Sequence, residues 1–462
     1  MTAKEWIKTS EAIDQSKRAY AHFDRRVNFS TVGGYITNPE KIAVHGFYPF
    51  IHFEQKSVKY DGKGKKPKKR DICYASHIDR CIYSYYSYIL NELYNQRVLK
   101  DGISSVAIAY RTNLKVSNIH SAKRAIDFIR SSFPCYVMIG DFTAFFDNLA
   151  HDYLKKQWCS LLGVERLPPD HYAIFKNITK YSTWELSDLY QLNGLEEGRR
   201  GWRKLNSQSR VLTSEQFAQN KSHIKKHENN FGIPQGSSIS ATLANVYMLE
   251  IDKRVNDYIS SMGGLYLRYS DDFIIVLPSD RVSSGFEELR KITKMFNAID
   301  CLQLQPEKTQ YYYFDGSLIS GYTQDMELCK NKNRINFLGF TFDGHKVSVR
   351  AKTISKYYQR MYKKAKTIVR NGGYTKKGNR ISCKELYRLY SYKGNKKGDK
   401  RERRSGNFLS YIERSASSKL FGNNELIKRD TRRHMQKIRK VLKKCRPRRE
   451  NLSNNVPERP KK

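Results

Sequence analysis

Two adjacent aspartates, Asp271 and Asp272, stand between the apolar runs LYLRY and FIIVLP. The pattern reads as strand, two-residue turn, strand, a bend that pushes both carboxylates out of a sheet edge. Paired carboxylates in such a place are costly unless a cation sits beside them. An isolated Ser-Asp-Asp reads better as a solvated turn, because Asp is common in turns. A third carboxylate weighs against that reading: Asp141 closes the short apolar run YVMIG, and a ligand at a strand end is rigidly supported. Carboxylates delivered from separate strands suit Mg²⁺, which takes oxygen ligands and keeps several waters. Two such ions about 3.5–4 Å apart activate an attacking hydroxyl and neutralise a triphosphate, which is the chemistry of nucleotidyl transfer.

Three further features fall in order around these aspartates. DFTAFFDNL begins at Asp141 and places Phe146 five residues on and Asp147 six. GIPQGSSIS (residues 232–240) is a turn-rich loop shaped by glycines and a proline. LQLQPEKT brings Lys308 between the double aspartate and the run INFLGFTF.

The elements that must hold these groups can be read from periodicity. DGKGKKPKKR (residues 61–70) reads as a Gly/Lys/Pro loop. Ile78, Ile82, Tyr85, Ile89 and Leu93 recur at helical spacing. Residues 152–230 read as a helical and loopy insertion. ATLANVYMLEIDKRV and FEELRKITKMFNAI read as helices, and INFLGFTF as a strand pair. Beyond residue 350, Ile354, Tyr358, Met361, Ala365 and Ile368 mark one helix face; Met435, Ile438 and Leu442 mark another. Strands interleaved with helices predict an α+β fold.

Composition narrows the partner. The 462 residues carry 85 Lys and Arg against 45 Asp and Glu, a net charge of +40. Such an imbalance, spread through folded-looking sequence, points to a polyanion, with a basic ribosome-like or membrane-surface protein as the alternative. Residues 351–462 hold 36 Lys and Arg against 8 Asp and Glu, or +28. The eight cysteines include no C-x-x-C pair and no zinc spacing, so reduced thiols and a cytoplasmic location are expected. The first twenty residues hold no apolar run of signal length, and no stretch approaches the ~20 apolar residues that cross a bilayer.

The ordered set DFTAFFDNL, GIPQGSSISATLANVY, YSDD, QPEKT and INFLGF resembles palm motifs A to E of reverse transcriptases. KKPKKRDICYASHIDRCIY resembles their fingers motif, and together the motifs cover about residues 61–345. The resemblance is to the prokaryotic branch, related to group II intron and retron enzymes and nearest its defence-associated, abortive-infection or uncharacterised groups. It implies a right-hand polymerase with an N-terminal extension (1–60), fingers (61–135) and a palm (136–345) that contains the insertion at about 152–230. A basic helical thumb (346–450) and a disordered tail (451–462) would follow.

By the same resemblance, Asp141, the Phe142 carbonyl and Asp271 hold two Mg²⁺ ions, with Mn²⁺ as a substitute and Asp272 as the less direct carboxylate. Phe146 matches the steric gate against a 2′-hydroxyl. Arg70 and Lys69 match groups around the triphosphate, and Gln235 lies beside the incoming nucleotide. Lys308 is the general acid for pyrophosphate, and Phe337, Leu338 and Gly339 form the primer grip. Lys356, Arg360, Lys363 and Lys364 would face phosphate from the thumb. The implied partners are an RNA template such as a dedicated noncoding RNA, a DNA product, dNTPs, and a partner protein or second copy.

Three departures qualify the match. Ser270 stands where Ala, Val or Met is usual, and Gln305 where Asn is common. The tail carries no nuclease pattern, and the retron hallmarks are missing. The implied function is RNA-directed DNA synthesis in anti-phage defence. Template-independent or protein-primed DNA synthesis, and a catalytically silent RNA-binding scaffold, stand as the alternatives.

Overall fold

The computed structural model describes residues 1–60, 64–281, 284–370, 372–373, 381–394, 406–417, 419–422 and 424–443. The expected disordered tail (451–462) lies outside them, as does Cys445. The chain divides into two compact units: Met1–Lys115 with Met138–Gln310, and Val116–Val137 with Tyr311–Lys462. Helices and mostly antiparallel strands make up both.

In the first unit, β1 (Phe50–Glu54) is flanked by β4 (Asp71–Tyr74), antiparallel, and β6 (Ser182–Glu185), parallel; β7 (Lys225–Lys226) pairs with β6. Segments expected as an N-terminal extension and as an insertion thus build one sheet. They also share a core of Ala21, Phe23, Ile51, Trp184, Leu189, Leu205 and Leu212. The basic run expected as a loop is instead half of a ribbon, β2 (Ser57–Tyr60) against β3 (Lys65–Lys68), with residues 61–63 outside the described set. Pro67 is tolerated there because the Gln55–Arg70 hydrogen-bonded pair sets an alternation in which Pro67, opposite Val58, falls at a non-hydrogen-bonded position and its missing N–H breaks no ladder.

The helix His77–Lys100 starts on two caps. Ser76 Oγ accepts from Asp79 N, and the Asp24 carboxylate accepts from His77 N at 3.0 Å and Ile78 N at 2.8 Å. Its buried stripe is Ile82, Tyr83, Tyr86, Leu90 and Tyr94. Of the expected stripe, Ile82 and Tyr85 are buried, whereas Ile78, Ile89 and Leu93 are only half-buried; Tyr83, Tyr86, Leu90 and Tyr94 take the remaining core positions.

Strands β9 (Asp272–Pro278), β8 (Leu265–Tyr269) and the C-terminal part of β5 (Cys135–Asp141) lie side by side in the order β5-β9-β8. Close approach of β5 to β9 requires Gly140, where a Cβ would stand 2.2 Å from the Phe273 ring. The run ATLANVYMLEIDKRV forms two helices, Ser240–Tyr247 and Leu249–Ser261, that meet at Met248 rather than the single helix expected. Gly285–Asn297 is helical as read.

The second unit contains β10 (Gln310–Phe314), β11 (Ile319–Tyr322) and β12 (Leu328–Cys329), antiparallel in that order. It also contains the meander β13 (Ile335–Phe337), β14 (Phe340–Phe342) and β15 (Val347–Val349). The helix Ala351–Arg370 buries Ile354, Tyr357, Tyr358, Met361, Ala365 and Ile368, the face its spacing predicted. In the helix His434–Lys443 only Ile438 of the expected trio is fully buried. Among the described residues no helix is long and apolar enough to cross a membrane.

Candidate active site

The hairpin β8–β9 pairs Tyr269 with Asp272, which leaves Ser270 and Asp271 as its two turn residues and Asp272 as the first strand residue. Ser270 takes φ +62°, a left-handed conformation that ordinarily favours glycine. Asp271 is half-buried and Asp272 exposed. Backbone bonds fix the neighbouring strand end against this turn: Phe142 N donates to Asp271 O at 3.3 Å, so the peptides carrying Asp141 and Asp271 sit side by side.

The segment QLQPEK (residues 303–308) closes on the same strand end. Gln305 N donates to Asp141 O at 2.8 Å, and Thr143 N donates to Gln303 O at 2.9 Å. This fold-back brings Lys308 Nζ to 2.7 Å from Asp141 Oδ1. Asp141, Asp271 and Lys308 are therefore gathered at one place in the first unit.

The glycine-rich loop docks on the segment that follows Asp141 and on β4. Ile233 N donates to Phe146 O at 2.9 Å, Gly232 N to Leu149 O at 2.9 Å, and Cys73 N to Gln235 O at 2.9 Å. Gly232 (φ +92°) could not carry a side chain, since a Cβ would meet the Asp147 carbonyl oxygen at 2.9 Å. Phe146 is half-buried, its ring edge-on to Phe145 at 5.7 Å. Asp147 reaches the surface, yet the surrounding protein, with a smaller contribution from Asp71, holds its carboxyl above the ordinary range.

Other expected residues are engaged elsewhere. Arg70 pairs with Gln55 through its backbone and leaves its side chain exposed. Lys69 is ion-paired with Glu54 at 2.8 Å, which raises its pKa through that hydrogen bond. In the second unit, Leu338 (φ +45°) and Gly339 (φ +93°) turn the β13–β14 hairpin beyond the buried Phe337. Asn118 Nδ2 donates to Leu338 O and to Tyr411 Oη, both at 3.0 Å. Lys356, Arg360 and Lys363 are exposed, whereas Lys364 lies 3.9 Å from Glu385.

Sequence reading missed what lies under the turn. Arg268 and Asp252 are wholly buried and joined by Nε–Oδ1 (2.9 Å) and Nη2–Oδ2 (2.6 Å) bonds. Tyr266 Oη donates to Asp252 Oδ1 at 2.9 Å, and Arg268 Nη1 donates to Ser270 O at 3.0 Å. Burial alone would pull the guanidinium pKa down, but the adjacent Asp252 carboxylate reverses this and the net shift is upward. The available signal was one arginine in an otherwise apolar strand.

Among the described residues no group of three or more His, Cys, Asp or Glu side chains is gathered closely enough to hold a metal ion. What the strand ends offer is two carboxylates, Asp141 and Asp271, together with main-chain oxygens. This is an all-oxygen set of the kind hard divalent cations take when water and substrate phosphates complete the shell.

The sequence profile described as reverse transcriptase (RNA-dependent DNA polymerase) matches residues 63–342. No curated protein matches the chain by sequence. Among solved structures, the chain is similar to apo telomerase from Candida tropicalis truncated from its C-terminal domain, at 12% identity and TM-score 0.38. That match covers 70% of this chain and 60% of that one. It is also similar to telomerase from Candida albicans in complex with a TWJ fragment of telomeric RNA, at 14% identity and TM-score 0.35, over 72% and 54% of the two chains. The chain thus spans about three-fifths or less of the length of these structures.

Proposed function

The chain belongs to the reverse transcriptase (RNA-dependent DNA polymerase) family, and from that premise we propose that it copies RNA into DNA, with Asp141 and Asp271 as ligands of the divalent cations. The observation that carries the site assignment is the gathering of Asp141, Asp271 and Lys308 around one pair of strand ends, tied by the Phe142–Asp271 and Gln305–Asp141 backbone bonds. When bound, Mg²⁺ or Mn²⁺ would supply Lewis acidity toward the attacking 3′-hydroxyl and the triphosphate.

The chain's own residues then have distinct tasks. Asp141 and Asp271 would hold the cations with the Phe142 carbonyl as a further oxygen donor, and Asp272 would add negative potential from the first residue of β9. Lys308, whose Nζ lies 2.7 Å from Asp141 Oδ1, would give a proton to the leaving pyrophosphate. Phe146 guards the 2′ position, and Gln235, two residues beyond the Ile233–Phe146 bond, serves the incoming nucleotide. Arg70 supplies a planar phosphate contact from an exposed position.

In this reading the ribbon and sheet of residues 50–74 belong to the fingers, β5, β8 and β9 to the palm, β13–β14 to the primer grip, and the helix Ala351–Arg370 to the thumb. A noncoding RNA template and a role in anti-phage defence are the finer part of the proposal; what supports them is the motif resemblance alone.

The test is Asp271→Asn in the full chain. Nucleotide incorporation on a primed RNA template falls by at least about a hundredfold, as expected when charge stabilisation of the transition state is lost, while RNA binding and melting temperature hold. Activity within a few-fold of the parent removes Asp271 from the ligand set. Sequencing the nucleic acid that copurifies separates templated from untemplated synthesis.

A further inference from the structure

Ser270 is buried, and its hydroxyl must find a partner inside the protein. The partner is Tyr110, whose Oη lies 3.0 Å from Ser270 Oγ. Tyr110 is an unusual residue to find there. It is 47% exposed, so its ring is not core filling, yet its backbone is held at φ +67°. Two non-glycine residues in left-handed conformations, 160 positions apart in sequence, thus meet through their hydroxyls. Such strain persists only where the surroundings over-determine it.

The surroundings here do so. The loop leading to Tyr110 is fastened to β8 by Arg268 N to Val106 O at 2.9 Å and Ile108 N to Arg268 O at 3.3 Å. Asn245 Nδ2 donates to Ala109 O at 3.0 Å, and the buried Arg111 donates to Ala107 O at 3.0 Å. The turn itself is gripped from three directions. Arg268 holds the Ser270 carbonyl, Tyr110 the Ser270 hydroxyl, and Phe142 N the Asp271 carbonyl.

We propose that Tyr110 is a positioning residue for the polymerase reaction, its hydroxyl latching Ser270 so that the next residue, Asp271, presents its carboxylate in one orientation. The proposal rests on the reading of Asp271 as a cation ligand. It also gives Ser270 a purpose at a position where a small apolar residue would offer Tyr110 nothing to bind.

The test is a double-mutant cycle in the full chain with Tyr110→Phe and Ser270→Ala. Three quantities are read: kcat, KM for dNTP, and Mn²⁺ binding followed by electron paramagnetic resonance. Each single change lowers kcat by about tenfold, a modest misplacement of a reacting group, and leaves KM for dNTP within about twofold. Each weakens Mn²⁺ binding, and the double variant is no worse than either single, because both remove the same bond. Melting temperatures fall by only a few degrees, the loss of about one hydrogen bond, and by no more in the double variant than in the worse single. Multiplicative losses in the double variant, an unchanged kcat and Mn²⁺ affinity in Tyr110→Phe, or a melting temperature that falls in step with the rate would each overturn the latch. If the parent incorporates no dNTP, the polymerase reading fails, and the Mn²⁺ cycle alone decides whether the latch exists.

Discussion

At the scale of single residues, Phe146 is the group whose role can be isolated most cleanly. Its carbonyl accepts from Ile233 N, so the backbone is fixed whatever side chain it carries. The ring is half-buried and touches Phe145 edge-on, so truncation costs less than the ~3–5 kcal/mol of a fully buried Phe→Ala change. Phe146→Ala should raise the ratio of rNTP to dNTP incorporation by about ten- to a hundredfold, the range a lost steric contact commands. An unchanged ratio means that another group reads the sugar. That Asp141, Asp271 and Lys308 fall together was legible from the order of the motifs and their family resemblance. Tyr110 was not, because nothing in a tyrosine's identity announces a left-handed backbone, and its partner lies far off in sequence.

At the scale of elements, local pattern succeeded where one face is apolar and failed where pairing is non-local. The helix Ala351–Arg370 shows the face its spacing predicted. The sheet β4-β1-β6-β7 was invisible, because β1 and β6 are short and pair in parallel across more than a hundred residues. The junction feeding that sheet depends on a neutral histidine. His22 is fully buried, its Nε2 lies 3.3 Å from the Tyr74 carbonyl, and burial lowers its pKa to about 3 from an ordinary 6.5. Between those values the unfolded chain binds a proton that the folded one refuses, so stability is full above pH 6.5 and is lost as pH falls toward 3. The slope from this group reaches about 1.4 kcal/mol per pH unit. His22→Gln should therefore flatten the acid side of the melting-temperature profile, even if it lowers the neutral value. An acid slope equal to the parent's would show that other groups carry the transition; His77, His151 and His171 also have lowered values, with burial the leading cause.

At the scale of the whole chain, the dominant fact is a charge of +40, of which residues 351–462 supply +28. Core formation does not call for such a charge, yet the helix Ala351–Arg370 is no mere basic arm, since one face is buried. Its opposite face exposes Lys356, Arg360 and Lys363. Cations on a packed helix bind phosphate without reading sequence, and each contact releases counterions. Replacing these three by Gln should flatten the slope of log K against log salt for a primer–template by about 2–3, from roughly 0.7–0.9 per lost contact. Lys364 provides an internal control: it already lies 3.9 Å from Glu385, so adding Lys364→Gln to the triple variant should change the slope by less than any of the other three. Incorporation of a single nucleotide at saturating template should survive, while product length shortens as the duplex dissociates sooner. A triple variant that keeps both the parent's salt slope and its product length would assign this helix face to something other than the copied duplex, and the charge of the region would have to be spent on a structured RNA or a protein partner.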